Sequence, residues 1–210
     1  MLIVKYSAQD FRGVFNTNFF GQVSVTQAII PYMRPKKSGI IAFMGAIEGW
    51  ASYPTTAAWV ASKWAIAGLA QGVRDELQPL DIKVTVIEAG DFQRELFKPE
   101  KMSYVATDQE EYREHMKHIK DITNETLTNS TENPANAADL IVQALVGEGP
   151  FQGKSLPARL VLGCNSVHAA QKILSEQTES LTESYGISRL IEPLYSKPTT
   201  SDNQEKSYFG

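Results

Sequence analysis

The chain has 210 residues, enough for one domain, with 20 basic against 24 acidic side chains and a formal net charge of -4. That mild acidity excludes general affinity for the nucleic-acid backbone, which needs basic patches. Its 42% apolar content is ordinary for a globular fold, and one cysteine, Cys164, excludes an internal disulfide and fits a reducing compartment, so a cytoplasmic location is expected.

The apolar start Met1-Leu2-Ile3-Val4 breaks at Lys5 and is too short for a signal peptide, so no membrane span is expected. Two matches to the glycosylation pattern, at Asn124 and Asn129, are read as chance in a chain without a secretory signal. Ser7-Ala-Gln-Asp10 resembles a capping box. Phe11, Val14, Phe15, Asn18, Phe19, Val23, Val25, Ile29 and Ile30 follow at helical spacing, predicting one long helix to about Met33 with Pro31 in its last turn. Arg34–Gly39 reads as a polar turn. Ile40–Met44 is a continuous apolar run and predicts a strand buried on both faces. After a loop through Gly49 and Pro54, Thr55 or Thr56 caps a helix over about Ala57–Leu77, which Pro79 ends. Ile82–Ile87, rich in β-branched residues, is the next strand, with Gly90 at its exit. Residues 91–133 are polar with weak helical patches. Pro134–Leu145 predicts a helix with Pro in its first turn, and Arg159–Gly163 a short strand. Asn165 is the expected cap of a last helix to about Tyr185, and 195–210 reads as a disordered tail beyond a domain of residues 1–194.

Strands alternating with crossover helices predict a parallel sheet in an α/β fold. Three strands make a small sheet. The first has no partner on its N-terminal side, and a bare apolar edge is an aggregation hazard that folded proteins cover. Further strands upstream are therefore expected.

Four segments, in order, carry a family resemblance. Phe15-Asn-Thr-Asn-Phe-Phe-Gly21 resembles the asparagine-bearing helix of the short-chain dehydrogenases/reductases. Gly39–Gly49 resembles their serine-presenting strand and loop. Ala58-Trp-Val-Ala-Ser-Lys-Trp-Ala-Ile-Ala-Gly-Leu69 resembles their Tyr-x-x-x-Lys helix, and Ile82–Gly90 the strand with the Pro-Gly exit. Arg159–Gly163 and the helix after it resemble the C-terminal end of one branch. The resemblance implies the C-terminal part of a Rossmann-like doubly wound sheet, about three strands with flanking helices. It also implies NADP or NAD as cofactor and an apolar alcohol or ketone as substrate. The family's N-terminal unit binds the dinucleotide pyrophosphate on a Gly-rich turn. This sequence holds no such turn, so that half is expected to be absent.

By the same resemblance, Lys63 takes the lysine position, which lowers the catalytic tyrosine's pKa and binds the nicotinamide ribose. Asn18 takes the asparagine position, which holds a relay water, and Gly90 sits at the cofactor-side exit of its strand. Two positions depart from the pattern. Trp59 stands for the tyrosine, and its indole N–H only donates. Ala46, thirteen residues earlier, stands for the serine and has no hydroxyl. Ser52 and Tyr53 are nearby substitutes, displaced from the motif. Ser62 reads as packing between helices. Ala89 replaces a proline, and Gln93-Arg94 fill the stretch where a nicotinamide-contacting threonine is usual, with Arg94 open to a salt bridge or a phosphate.

His115 and His118, beside Glu110, Glu111 and Glu114, read as a solvated face rather than a metal site, and His168 is isolated. Trp50, Trp59, Trp64 and Tyr53 either line an apolar pocket or fill the core. The two long helices predict a homo-oligomer. Three readings follow: an impaired oxidoreductase, a non-catalytic binding or interaction protein derived from the family, or a fragment from an incomplete gene model.

Overall fold

Ser7 and Asp10 form the expected reciprocal cap at the start of the first helix. Ser7 Oγ accepts the Asp10 N–H at 3.1 Å, and the Asp10 carboxylate accepts the Ser7 N–H at 2.8 Å. The Ser7 hydroxyl and then its backbone N–H hold the Asp10 carboxyl below the usual carboxylate range. The carboxylate half of the cap is therefore in place above that range and weakens as acid protonates Asp10, while the Ser7 Oγ half does not titrate. The computed structural model describes residues 7–90, 92, 110, 112–114, 116–119, 121 and 133–188.

The first helix is continuous, as its spacing predicts, but not uniform. It runs as α1 (Ala8–Phe15), a π turn (Asn16–Phe20) and α2 (Gly21–Met33). A tight turn over Arg34–Lys36 then leads to β1 (Gly39–Met44). α3 (Ala57–Leu77) crosses to β2 (Ile82–Ala89), and α4 (Pro134–Val146) precedes β3 (Arg159–Leu162). The strands form one parallel sheet in the order β1-β2-β3, with Gly39 opposite Ile82 and Val86 opposite Arg159. This is the α/β arrangement that the alternation of elements predicts.

Two cores sandwich the sheet. On one face Ile41, Phe43, Val84 and Val86 meet Ile66, Ala70 and Leu77 of α3, with Phe19, Ile30 and Met33 beside them. On the other, Ile87, Leu160 and Leu162 meet Ala137, Ile141 and Ala144 of α4. Each large side chain so buried contributes roughly 1.5–3 kcal/mol. The expectation that β1 is buried on both faces fails: Ile41 and Phe43 are buried, but Ile40, Ala42 and Met44 are exposed. The physical reason is that α4 packs over β2 and β3 and leaves that side of β1 uncovered.

The chain divides into two compact units, residues 1–171 and 172–210. α5 (Cys164–Ser188) begins in the first, with Ser166 and Ala170 buried. Asn165 is not its cap. Gly163, at φ 109°, holds that place, and its carbonyl accepts the Val167 N–H at 3.0 Å. Asn165 falls inside the first turn because glycine meets the positive φ without a Cβ clash. In the second unit the described stretch is helix, with an exposed Lys172–Glu176 pair at 3.8 Å. The expected tail lies outside the described residues. Within the polar stretch 91–133, residues 110, 112–114, 116–119 and 121 are helical. Among the described residues no helix is long and apolar enough to cross a membrane.

Candidate active site

The π turn places Asn18 against α3. In it the Gly21 N–H reaches back five residues to the Asn16 carbonyl, a widened turn of the sort that recurs at functional sites. Asn18 Nδ2 donates to Ser62 Oγ at 2.9 Å, and Ser62 Oγ donates to the Trp59 carbonyl at 2.7 Å. Ser62 is wholly buried. It packs between helices as the sequence suggests, and its hydroxyl is committed in both directions.

One residue on, Lys63 is also buried. Its Nζ donates to the Met44 carbonyl at 3.1 Å and lies 4.7 Å from the centre of the Trp59 ring. The ammonium thus rests on an aromatic face and the end of β1 rather than in bulk water. Gln22, which the sequence pattern does not single out, ties α2 to the same strand end. Its amide accepts the Met44 N–H at 2.9 Å and donates to the Met44 and Asn18 carbonyls at 3.2 and 2.8 Å.

Ala46 is buried at the start of the turn Ile47–Gly49, which packs against α3. A second group missed in the sequence anchors this turn to the sheet. Glu88 of β2 is wholly buried and accepts Trp50 Nε1–H at 2.5 Å and Arg159 Nε–H at 2.9 Å. Arg159 Nη2 bonds the other Glu88 oxygen and the Gly49 carbonyl, the latter at 3.0 Å. The guanidinium stacks 3.5 Å from the Trp50 ring centre. A charged residue in each of two apolar strands was the signal available for this pair.

Gly90 stands apart from this group, at the exit of β2 beside α5. Its N–H donates to the Leu162 carbonyl at 2.9 Å. A Cβ there would lie 2.0 Å from Ser166 Oγ and 3.2 Å from the Leu162 carbonyl. Close packing, then, demands glycine at this position. Gly90→Ala is expected to cost about 1–3 kcal/mol, the usual range for overpacking, and Gly90→Ala with Ser166→Gly to recover part of it, as read by urea unfolding.

The other sequence candidates scatter. Trp50 belongs to the Glu88–Arg159 group, Trp59 lies under Lys63, and Trp64 is 45% exposed on α3. They do not line one pocket. Ser52 and Tyr53 are exposed in the loop before α3. His118 and His168 are exposed, His115, Gln93 and Arg94 lie outside the described residues, and no cluster of three metal-ligating side chains occurs among the described ones. The assembled site therefore offers a cation, an amide and a committed hydroxyl. Trp59 brings no titratable proton and Ala46 no hydroxyl.

The family model for short chain dehydrogenase matches residues 2–123. The uncharacterized oxidoreductase YusZ of Bacillus subtilis is 30% identical over 137 residues, 64% of this chain and 49% of that protein. A 3-ketodihydrosphingosine reductase of Bacteroides thetaiotaomicron is 34% identical over 97 residues, 46% of this chain and 36% of that protein. The chain thus spans about half or less of these curated relatives. A short-chain dehydrogenase of Streptomyces avermitilis superposes with TM-score 0.77 at 27% identity, over 91% of this chain and 66% of that one. Neighbours solved with NADP or NAD bound, at 16% and 15% identity, share the fold alone. The matched segment takes in Asn18, Lys63 and the strands around them, and the chain belongs to the short-chain dehydrogenase family.

Proposed function

We propose that this chain carries an NAD(P)-oxidoreductase site of the family in an impaired form. Its ligand class would be an apolar alcohol or ketone, of the lipid, steroid or secondary-metabolite kind, in a cytoplasmic setting. The observation that supports the reading is that Trp59 and Ala46 stand where the resemblance expects a tyrosine and a serine, with Lys63 resting on the Trp59 ring and Asn18 bonded to Ser62 on the same helix. Bound nicotinamide supplies or accepts hydride in this family. On the chain's side, Lys63 and Asn18 suit the nicotinamide-ribose end, while Gly90 faces Ser166 and no Gly-rich turn cradles a pyrophosphate. The residues present therefore fit only part of the cofactor, and no reaction step is derived through it. The name of the Bacteroides relative supports an apolar ketone as the substrate class.

The direct test is cofactor titration. The chain is expected to show no saturable NADH or NADPH binding below millimolar concentration, by nucleotide fluorescence or calorimetry. A micromolar isotherm would overturn the partial-fit reading.

A non-catalytic interaction role is the second reading. It is favoured by apolar side chains left in water on the two long helices, Phe20 at 53% and Trp64 at 45% exposure. A helix-mediated homo-oligomer would cover them.

A further inference from the structure

Gly45 and Gly49 flank the turn that carries position 46, and neither has a positive φ. Space, not backbone angle, is what they supply. A Cβ at Gly45 would lie 2.8 Å from Val86 Cγ2 and 3.2 Å from Glu88 Cγ. One at Gly49 would lie 2.8 Å from Glu88 Oε1, 3.3 Å from Arg159 Nη2 and 3.5 Å from the Lys63 carbonyl. The Glu88 side chain thus meets both ends of the turn, its stem against Gly45 and its carboxylate against Gly49.

The turn's own bonds are local. The Gly49 N–H donates to the Ala46 carbonyl at 2.9 Å, and the Trp50 and Ala51 N–H groups donate to the Ile47 carbonyl at 2.8 and 3.0 Å. Such bonds give the turn a shape but not a place. The Gly45 N–H on the Ile87 carbonyl ties its first residue to the sheet. Beyond that, among the described residues, the hydrogen bonds from residues 46–51 to the sheet are those of Glu88 to the Trp50 indole and of Arg159 to the Gly49 carbonyl. Stability does not account for a charge pair here, because apolar residues of similar volume serve a fold as well or better. Direction does. The guanidinium is a planar fork: Nε and Nη2 take the two Glu88 oxygens, and Nη2 also takes the Gly49 carbonyl. One rigid group therefore spans β3, β2 and the turn.

Given the site proposed above, with position 46 as the serine place, we infer that Glu88 and Arg159 are positioning residues of that site. They act through the turn rather than on a reacting atom. They hold position 46 beside the α3 backbone at Lys63. A displacement of about 1 Å in a catalytic group can cost roughly 10² in rate, and that is the loss the pair prevents.

Two measurements test this. The first is amide hydrogen exchange on the chain itself. Arg159→Met with Glu88→Leu is expected to speed exchange at Gly49, Trp50 and Ala51 by about tenfold or more, the effect of the two bonds lost. The Val86 amide, bonded to the Ala158 carbonyl at 3.0 Å in the strand ladder, should be unchanged. Arg159→Lys keeps a charge against Glu88 without the fork, and should loosen the turn in the same way if the double change perturbs the fold. The second is a kinetic cycle in a fusion that places the N-terminal half of an active relative ahead of Ser7 and carries Trp59→Tyr. With Ala46→Ser also present, the Arg159→Met and Glu88→Leu pair should lower kcat by about 10² at little changed KM. With Ala46 left in place the loss should be about threefold at most, since there is no hydroxyl to misplace. Equal losses in both backgrounds, or turn amides that exchange no faster, overturn the inference. A fusion with Trp59→Tyr and Ala46→Ser that does not turn over overturns instead the site reading beneath it, and the exchange result still decides whether the pair holds the turn.

Discussion

Arg159→Ala should destabilise the fold by about 3–5 kcal/mol, the cost of breaking a buried ion pair from one side. Glu88 has no exposure, and its oxygens are served by Arg159 and by the Trp50 indole. Removing the guanidinium leaves a carboxylate inside the sheet with one donor. It also strips the Trp50 ring of its stacked cation and the Gly49 carbonyl of its bond. The turn after Ala46 loses its anchor together with the strand pair. Replacing both charges, as Arg159→Met with Glu88→Leu, should recover most of the loss, because apolar residues of similar volume remove the desolvation penalty as well as the attraction. Urea unfolding followed by tryptophan fluorescence reads both. A loss under about 1 kcal/mol for Arg159→Ala would place the pair among surface bridges of little weight.

The largest expected effect on chemistry is a gain. Suppose the N-terminal half of an active relative is fused ahead of Ser7 to supply the phosphate cradle. Trp59→Tyr then gives Lys63 a phenol where its ammonium now meets an indole face, and Ala46→Ser gives the substrate oxygen a hydroxyl donor at the head of the Ile47–Gly49 turn. A general acid is worth about 10²–10⁴ in rate. A preorganised donor adds about 10²–10³, and the two effects do not simply add. Hydride transfer should rise by at least about 10² over the unaltered fusion, with the Trp59→Tyr change alone giving most of it. Lys63→Met in the restored fusion should reverse the gain, which separates a working relay from improved folding.

Much of this architecture is legible in the residues, and the failures share a cause. The cap at Ser7, the crossover order and the three strands follow from local signals: side-chain oxygens at helix starts, period-3.6 runs, and β-branched clusters. Lys63 and Asn18 are singled out by motif spacing alone, and their contacts with the Trp59 ring and Ser62 are not written in that spacing. What the sequence hides is whatever depends on a third element. Ile40 and Met44 are as apolar as Ile41, so the bare face of β1 shows only once α4 is seen to lie over the other two strands. The π turn at Asn16–Phe20 keeps the apolar spacing of an α-helix and so leaves no mark in the pattern. Gln22 and Glu88 are ordinary polar letters until partners 22 and 71 residues away come into contact. Asn165 competes as a cap with a glycine one position outside the helix, and only the backbone angle decides between them.

The central claim is that Trp59 and Ala46 stop the proton relay while Lys63 and Asn18 keep their places. Nicotinamide absorbance measures it most directly, with the unaltered fusion saturated in cofactor and offered a panel of apolar ketones and alcohols. The predicted result is turnover at or below about one hundredth of the rate of the fusion carrying Trp59→Tyr and Ala46→Ser. Turnover of the unaltered fusion at ordinary enzymatic rates, about 1–10³ per second, would contradict the claim and move the proton to another group, with Tyr53 and Ser52 the first to be substituted.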